Sequence, residues 1–170
     1  ASFVATFEAF LGLLGFAIAT GLFYGRFSRP RAYLKFSETA VVAPFEEGSA
    51  IMFRVASYKN NMLSEAEVNI TAAIEENIDG KLVSKFYQIE PTLKKINSFS
   101  LNWTLVHKID SNSPFYGFSE DDFKNTDIEL IIMIKAFDEV FANTVVQRTS
   151  YITPEIVYGA RFLPMYHSSE

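Results

Sequence analysis

The chain has 170 residues, a formal net charge of −5 and 49% hydrophobic residues, which is the size of one ordinary domain with a short appendage. It contains no cysteine, which excludes a disulfide framework and a zinc site built on thiolates. The mild acidity argues against a nucleic-acid-binding protein, because such a domain is normally basic.

The N-terminal segment is apolar on every face. From Phe3 to Tyr24 the only charged residue is Glu8, and a helix of this length, about 33 Å, is enough to cross the hydrocarbon core of a membrane. The basic residues follow the apolar run instead of preceding it, which excludes a secretory signal peptide. We therefore predict a transmembrane helix, and the positive-inside rule places the C-terminal body in the cytoplasm.

Two further features of this helix are typical of a bundle. Ala17, Gly21 and Gly25 recur every four residues, and small residues at this spacing let membrane helices pack closely. Glu8 lies within the apolar run, where an ionisable residue faces a bundle interior or lies near the far interface. Both features favour several associated helices over a single anchor, although neither excludes the anchor.

After Pro30 the pattern changes to short alternating segments separated by turns, which indicates β-strands. Asp79-Gly80 predicts a tight hairpin, and Ser119 is predicted to cap one short helix over 119–125. Roughly seven to nine short strands in this body indicate a mainly β protein with an antiparallel sandwich. The strands are predicted at 32–36, 39–43, 50–57, 66–76, 85–90, 100–109, 127–137 and 144–152.

No arrangement of residues in the sequence indicates an enzyme or a metal site. The only histidines are His107 and His167, and no group of His, Asp and Glu has the spacing of metal ligands. No glycine-rich loop precedes a helix to bind phosphates. We expect His107, in the middle of a predicted strand, to be structural, and we predict neither catalysis nor a bound cofactor.

Five stretches of the sequence carry a family resemblance. They are "GLFYGRFSRPRA" (21–32), "TAVVAP" (39–44), "FRVASYKNNMLSEAEV" (53–68), "LVHKIDSNSPFYGFSEDDF" (105–123) and "QRTSYITPEIVYGARF" (147–162). In this order and spacing the chain resembles the inward-rectifier potassium channels, and most closely their prokaryotic branch. The resemblance implies that residues 1–28 are the inner, pore-lining helix and that residues 29–170 form a cytoplasmic immunoglobulin-like β-sandwich.

The resemblance also implies how the protein works. It implies a homotetramer in the bacterial inner membrane that transports potassium ions, binds no nucleic acid, and is regulated by anionic lipid such as phosphoinositide or by a cytoplasmic ligand. Polyamines and magnesium are the implied blockers. No filter sequence like Thr-Val-Gly-Tyr-Gly occurs in these 170 residues, so we do not expect the chain as given to conduct selectively. The alternative is a single-pass membrane-anchored immunoglobulin-like binding module that conducts nothing.

On the inner helix the resemblance assigns roles to residues spaced four apart. Phe16, Thr20 and Tyr24 drift by only about 40° per step, so they can line a central axis. Tyr24 is the candidate gate with Thr20 beside it, and Gly21 is a candidate hinge. Strong rectifiers carry an acid at the position of Phe16, so an aromatic residue predicts weak rectification. The alternative for these residues is packing against lipid or neighbouring helices.

Basic residues after the helix match positions where the family binds phosphoinositide headgroups. Arginine engages phosphate oxygens in bidentate fashion, and cations at the cytoplasmic leaflet gain roughly 1 kcal/mol each from anionic lipid. The alternative is a signal for topology with nonspecific anchoring at the interface. The residues in question are Arg26, Arg29, Arg31 and Lys59.

Two parts of the body match the family's cytoplasmic pore. Glu65 matches an acid that concentrates cations through a four-fold ring of charge, whereas Lys135 reverses the charge of a second such ring; the alternative for Glu65 is an ordinary surface carboxylate. The segment "AFDEVFA" (136–142) matches a loop that narrows the pore, and Arg148 is expected to pair with Glu139 to hold it. A plain hairpin turn is the alternative. The residues of this candidate constriction are Phe137, Asp138, Glu139, Val140, Phe141 and Ala142.

Overall fold

A computed structural model describes residues 2–27, 31–59, 62–99 and 102–163. Contacts divide the chain into two compact units, Ala1–Arg31 and Ala32–Glu170. Arg29, one of the predicted lipid-binding residues, lies outside the described residues.

The first unit contains the long helix α1 (Ser2–Phe27), which agrees with the predicted helix. It is long and apolar enough to cross a membrane, and no residue in it is buried by the rest of the chain. The hydroxyls of Thr6 and Thr20 donate to the carbonyls of Ser2 and Phe16 at 2.9 and 2.8 Å. These hydroxyls are therefore satisfied within the helix, which lowers their cost in an apolar medium.

The second unit consists of strands with one short α-helix and a 3-10 turn at Thr153–Glu155 in its described part. The predicted cap of the helix α2 (Glu120–Asn125) is confirmed, because Ser119 and Asp122 cap each other reciprocally. The strands are β1 (Leu34–Phe36), β2 (Ala40–Phe45), β3 (Gly48–Ser57), β4 (Leu63–Ile78), β5 (Lys81–Ile89), β6 (Lys95–Phe99), β7 (Asn102–Ile109), β8 (Ile128–Asp138), β9 (Asn143–Ile152) and β10 (Ile156–Tyr158).

These strands form two five-stranded sheets. In the first, β3 pairs with β7 on one side and with β1 and β2, placed end to end, on the other; β10 then pairs with β2. In the second, β4 pairs with β8 on one side and with β5 and β6 on the other, and β9 follows β8. Every pairing is antiparallel except β2 with β10, which is parallel and departs from the predicted antiparallel arrangement.

The two sheets enclose one hydrophobic core. Alternate residues of the central strands are buried, and those of β3, β4 and β8 belong to a single cluster, so the predicted β-sandwich is confirmed. Phe115, Phe118 and Phe123 extend this core with mutual ring contacts, and Phe115 stacks on Phe123 at 5.5 Å between centroids. Burial of each large side chain contributes about 1.5–3 kcal/mol.

Two strands were not predicted from the sequence. In β6 only Phe99 is buried, and in β10 only Ile156 is, so neither shows a clear alternation. The segment between the predicted strands 39–43 and 50–57 is shorter in the structure, because β2 continues through Pro44 and Phe45 and β3 begins at Gly48. The Asp79-Gly80 hairpin is confirmed: both residues have positive φ, of 52° and 78°, as a tight primed turn requires.

Candidate functional site

The predicted gate residues lie on the last turns of α1. Phe16, Thr20 and Tyr24 are all exposed in the single chain, and Tyr24 is 75% exposed. A hydrogen bond links two of them, since the Thr20 hydroxyl donates to the Phe16 carbonyl at 2.8 Å, a contact that often bends a helix slightly. A side chain added at Gly21 would meet nothing within 4 Å, so contacts within this chain do not require glycine there.

The predicted constriction loop is the turn between β8 and β9, and Asp138 holds it from inside. The Asp138 side chain is only 1% exposed, and its Oδ1 accepts the backbone N–H groups of Val140 and Phe141 at 2.9 and 3.1 Å. The Glu139 N–H donates to the Met62 carbonyl at 3.0 Å, which fastens the turn to the chain before β4. Ala142 adopts a positive φ of 47°.

The tip of this turn is apolar and exposed. Val140 is 67% exposed and Phe141 is 51% exposed, while Phe137, at the end of β8, is 39% exposed. Large apolar side chains on a turn whose backbone is fixed are unusual for a plain solvent loop, where polar residues dominate. The arrangement therefore presents a defined apolar surface.

The expected ion pair between Glu139 and Arg148 does not form within the chain. Arg148 lies opposite Met133 in the β8–β9 ladder, whereas Glu139 lies beyond the last pair, Asp138 with Asn143. The two pairs are five residues apart along the ladder, about 17 Å, and Glu139 lies beyond the second pair. No ion pair involves either residue in the part of the chain that the structure describes.

Glu65 lies in a β-bulge of β4, where the register with β8 shifts between Ser64 and Glu67. Its φ of 50° is strained for a residue other than glycine, and its carboxylate lies 3.6 Å from the Lys95 ammonium. Glu67 stands opposite Lys95 on one side and Lys135 on the other. Two acids and two cations therefore line one cavity of about 160 Å³ and balance each other in charge.

Sequence reasoning selected Glu65 and Lys135 from this cluster and missed Glu67 and Lys95. Glu67 follows Glu65 by two residues in a strand, and this alternation was the available signal. Lys95 gave no signal, because β6 was not predicted at all. The four residues are called the charged cluster below.

Of the predicted lipid-binding cations, Lys59 has the best-defined position. Its ammonium lies 4.0 Å from the centroid of the Tyr33 ring, and Tyr33 also contacts Tyr58 edge-on at 5.7 Å. A cation over an aromatic face at this distance gains about 0.5–1 kcal/mol at an exposed site. Arg26 lies in the last turn of α1, and Arg31 belongs to the same unit as the helix.

His107 has the structural role that the sequence predicted. Its Nδ1 lies 2.8 Å from the Glu90 carbonyl oxygen, which only accepts, so Nδ1 carries the proton. Its Nε2 lies 2.9 Å from the Ser113 hydroxyl and accepts from it. Burial lowers the pKa of His107, and the neutral ring is therefore the stable form. Among the described residues no group of three His, Asp or Glu could hold a metal ion.

Comparisons with known proteins identify the family of the chain. A sequence model described as "Inward rectifier potassium channel C-terminal domain" matches residues 34–170. The inward rectifier potassium channel Kirbac3.1 of Paramagnetospirillum magnetotacticum is 33% identical over 167 residues, covering 98% of this chain and 57% of that protein. The inward rectifier potassium channel irk-1 of Caenorhabditis elegans is 25% identical over 168 residues, covering 94% of this chain and 31% of that protein.

The chain thus spans about half the length of the first of these relatives and about a third of the second. Among solved structures, the sporulation control protein Spo0M of Bacillus subtilis gives a TM-score of 0.37 at 11% identity, covering 78% of this chain and 51% of that one. The family match covers most of the chain and coincides with the sandwich. The chain belongs to the inward rectifier potassium channel family, and residues 34–170 are its C-terminal domain.

Proposed function

We propose that this chain forms the inner helix and the cytoplasmic vestibule of a tetrameric, potassium-conducting channel in the cell membrane. One observation carries the proposal: Kirbac3.1, a potassium channel by name, matches 98% of the chain, so the helix and the sandwich match together. A membrane-anchored binding module would need an apolar helix, but the sequence of that helix would not need to resemble the one in a potassium channel. Potassium is the transported species in this proposal, and no cofactor takes part.

The surface of α1 supports a role in a helix bundle. No residue of the helix is classed as buried, so its surface can contact lipid and other copies. In a four-fold bundle the Phe16–Thr20–Tyr24 line faces the axis, and four Tyr24 rings close the ion path by excluding water. The rings of Phe23 and Phe27 stack at 6.2 Å between centroids on the same turns.

The β8–β9 turn forms the second constriction. Four copies of the exposed Val140 and Phe141 side chains make an apolar collar around the axis. Such a collar restricts ions only if its backbone is fixed, and the carboxylate of Asp138 and the carbonyl of Met62 supply that fixation. Glu139 and Arg148 do not pair within one chain, so in this proposal they contact neighbouring copies.

The charged cluster sets how strongly the vestibule attracts cations. Each chain contributes two acids and two cations there, so a ring of four chains carries little net charge. Polyamines and magnesium are drawn by an excess of negative charge, which this ring lacks. We therefore expect weak block by these cations, in keeping with the aromatic residue at Phe16.

Anionic lipid is the proposed regulator. Arg26 and Arg31 lie at the cytoplasmic end of the helical unit, and Lys59 is held over Tyr33 in the sandwich unit. Each of these cations gains about 1 kcal/mol near an anionic leaflet, and the three together are enough to bias a gate. Replacing all three with glutamine should weaken binding to vesicles that contain anionic lipid.

The test uses the full-length gene product, reconstituted in liposomes for potassium flux and single-channel recording. Tyr24→Ala should raise the open probability, whereas the control Leu22→Ala, on the opposite side of the helix, should leave it near the wild-type value. The mass in mild detergent should be that of four chains. A monomer without potassium flux would overturn the proposal and favour the binding module.

A further inference from the structure

These 170 residues contain no cysteine, so methionine is the residue type through which a mild oxidant reacts with this part of the protein. Three methionines lie in the part of the chain that the structure describes. Met52 and Met133 lie within β3 and β8 and are half-buried, whereas Met62 is 66% exposed. Susceptibility to oxidation follows exposure, so we expect Met62 to react first of these three.

The pairing of β4 with β8 places Met62 beside the turn between β8 and β9. Leu63 pairs with Asp138 at the end of the ladder. One position further along, the Met62 carbonyl accepts the Glu139 N–H at 3.0 Å. Leu63 and Asp138 are 3% and 1% exposed, so both side chains point into the core. Because side chains alternate along a strand, the Met62 side chain points to the opposite, outer face of the second sheet.

Phe137 lies on the same outer face. It pairs with Ser64 and is 39% exposed, which makes Met62 its diagonal neighbour on the adjacent strand. Diagonal neighbours are about 7–8 Å apart, a distance that long and aromatic side chains can span. Phe137 also lines the cavity of the charged cluster. The Met62 thioether therefore lies among the apolar residues of the proposed collar, on the face that carries the charged cluster.

We propose that Met62 is a site of reversible oxidation, and that its sulfoxide favours the conducting state of the collar. The oxidant is a peroxide. The Met62 sulfur attacks one oxygen of hydrogen peroxide, and the O–O bond breaks. The leaving hydroxide takes the proton of the transferred hydroxyl, so the products are methionine sulfoxide and water. The sulfur loses two electrons, which reduce the peroxide, and methionine sulfoxide reductases reverse the change.

The effect on conduction rests on the proposed function, whereas the oxidation itself does not. An apolar constriction stops ions because water leaves it. Oxidation turns an apolar side chain into a polar one, so a tetramer would gain four S=O groups beside the collar of Val140 and Phe141. These groups accept hydrogen bonds from water and make a hydrated constriction more stable. Oxidising conditions should therefore raise the potassium flux.

The first test maps oxidation in the full-length channel in detergent. The protein is exposed to hydrogen peroxide for increasing times and digested, and mass spectrometry measures the oxidised fraction of each methionine. Met62 should be oxidised about tenfold faster than Met52 and Met133. A rate at Met62 equal to theirs, or below it, overturns the modification site.

The second test measures potassium flux in liposomes, and each variant is compared with its own untreated flux. The wild-type flux should rise severalfold with peroxide and return after treatment with methionine sulfoxide reductases. Met62→Leu keeps an apolar side chain of similar size that peroxide does not oxidise, so its flux should not respond. The matched control Met52→Leu should keep the wild-type response. Met62→Gln introduces a polar group without oxidation, so its untreated flux should already exceed that of Met62→Leu.

A peroxide response that persists in Met62→Leu overturns the proposal, and so does fast oxidation of Met62 that leaves the flux unchanged. A channel that passes no potassium before any treatment refutes the proposed function. In that case the oxidation rates of the three methionines support or overturn the modification site by themselves.

Discussion

Replacement of Asp138 should loosen the β8–β9 turn without unfolding the sandwich. In the wild type its buried Oδ1 accepts two backbone N–H groups, those of Val140 and Phe141, at 2.9 and 3.1 Å. A hydrogen bond to a charged acceptor contributes about 1.5–3 kcal/mol, but in Asp138→Ala both amides can reach water at this exposed turn. We therefore expect the turn to lose about 2 kcal/mol of local stability, which is less than the roughly 3–6 kcal/mol of two such bonds because water replaces the carboxylate as acceptor.

The assay is amide hydrogen exchange at Val140 and Phe141 in the full-length protein. A loss of about 2 kcal/mol corresponds to about thirtyfold faster exchange at these two amides, provided that opening is local. Asp138→Asn keeps an oxygen at the acceptor position, and exchange should then accelerate by less than tenfold.

A matched control is Asp110→Ala, which removes a similar contact to the Asn112 N–H in another exposed turn. It should leave exchange at Val140 and Phe141 unchanged. If Asp138→Ala also leaves both amides protected, Asp138 does not hold the turn, and the fixed collar inferred above loses its support.

Three further predictions concern the pH dependence, the core and the charged cluster. Burial lowers the pKa of His107, so the unfolded chain binds more protons and the free energy of unfolding should fall as the pH drops below about 6.5. Urea unfolding at pH 5 and at pH 7.5 measures this fall, and His107→Gln should reduce the difference between the two free energies. Phe123→Ala removes a buried ring stacked on Phe115 and should cost about 3–5 kcal/mol, seen as a lower urea midpoint. Lys135→Gln leaves the charged cluster with a net charge of about −1 per chain, or about −4 in a tetramer, and should strengthen block by spermine.

Each of these three predictions has an outcome that would contradict it. Equal pH dependence in His107→Gln and wild type would assign the acid sensitivity to other groups. A loss below about 1 kcal/mol in Phe123→Ala would mean that the aromatic contacts around α2 are not part of the cooperative core. Spermine block that is the same in Lys135→Gln and in the surface control Lys124→Gln would show that the charged cluster does not face the ion path.

The sequence predicted those elements whose signal is local. The uniform apolar character of α1, the alternation in β8 and the turn preference of Asp79-Gly80 each lie within a few neighbouring residues. The strand β10 has no such signal, because its partner β2 lies far away in the sequence and only Ile156 is buried. Long-range pairing of this kind depends on the complete fold and cannot be derived from a local pattern.

In the candidate site, too, features with a local sequence signal were predicted and features that depend on long-range pairing were not. The location of the β8–β9 turn followed from the sequence, but the inward carboxylate of Asp138 did not, because aspartate is an ordinary turn residue. The pairing of Glu139 with Arg148 was wrong within one chain, since the β8–β9 register separates them. The bulge at Glu65 could not be predicted from the sequence either, because a one-residue register shift requires no particular residue type.

The parallel pairing of β10 with β2 has a consequence for synthesis of the protein. Ile156 aligns with Ala40, so the first sheet is incomplete until the chain has left the ribosome beyond residue 158, where β10 ends. Until then β2 keeps an unpaired edge made of buried apolar residues, the kind of edge that recruits strands from other chains. In the proposed tetramer several such nascent edges lie close together, and we expect strand exchange between copies to compete with correct folding. Folding of this domain is therefore expected to be slow, post-translational and sensitive to chaperone supply.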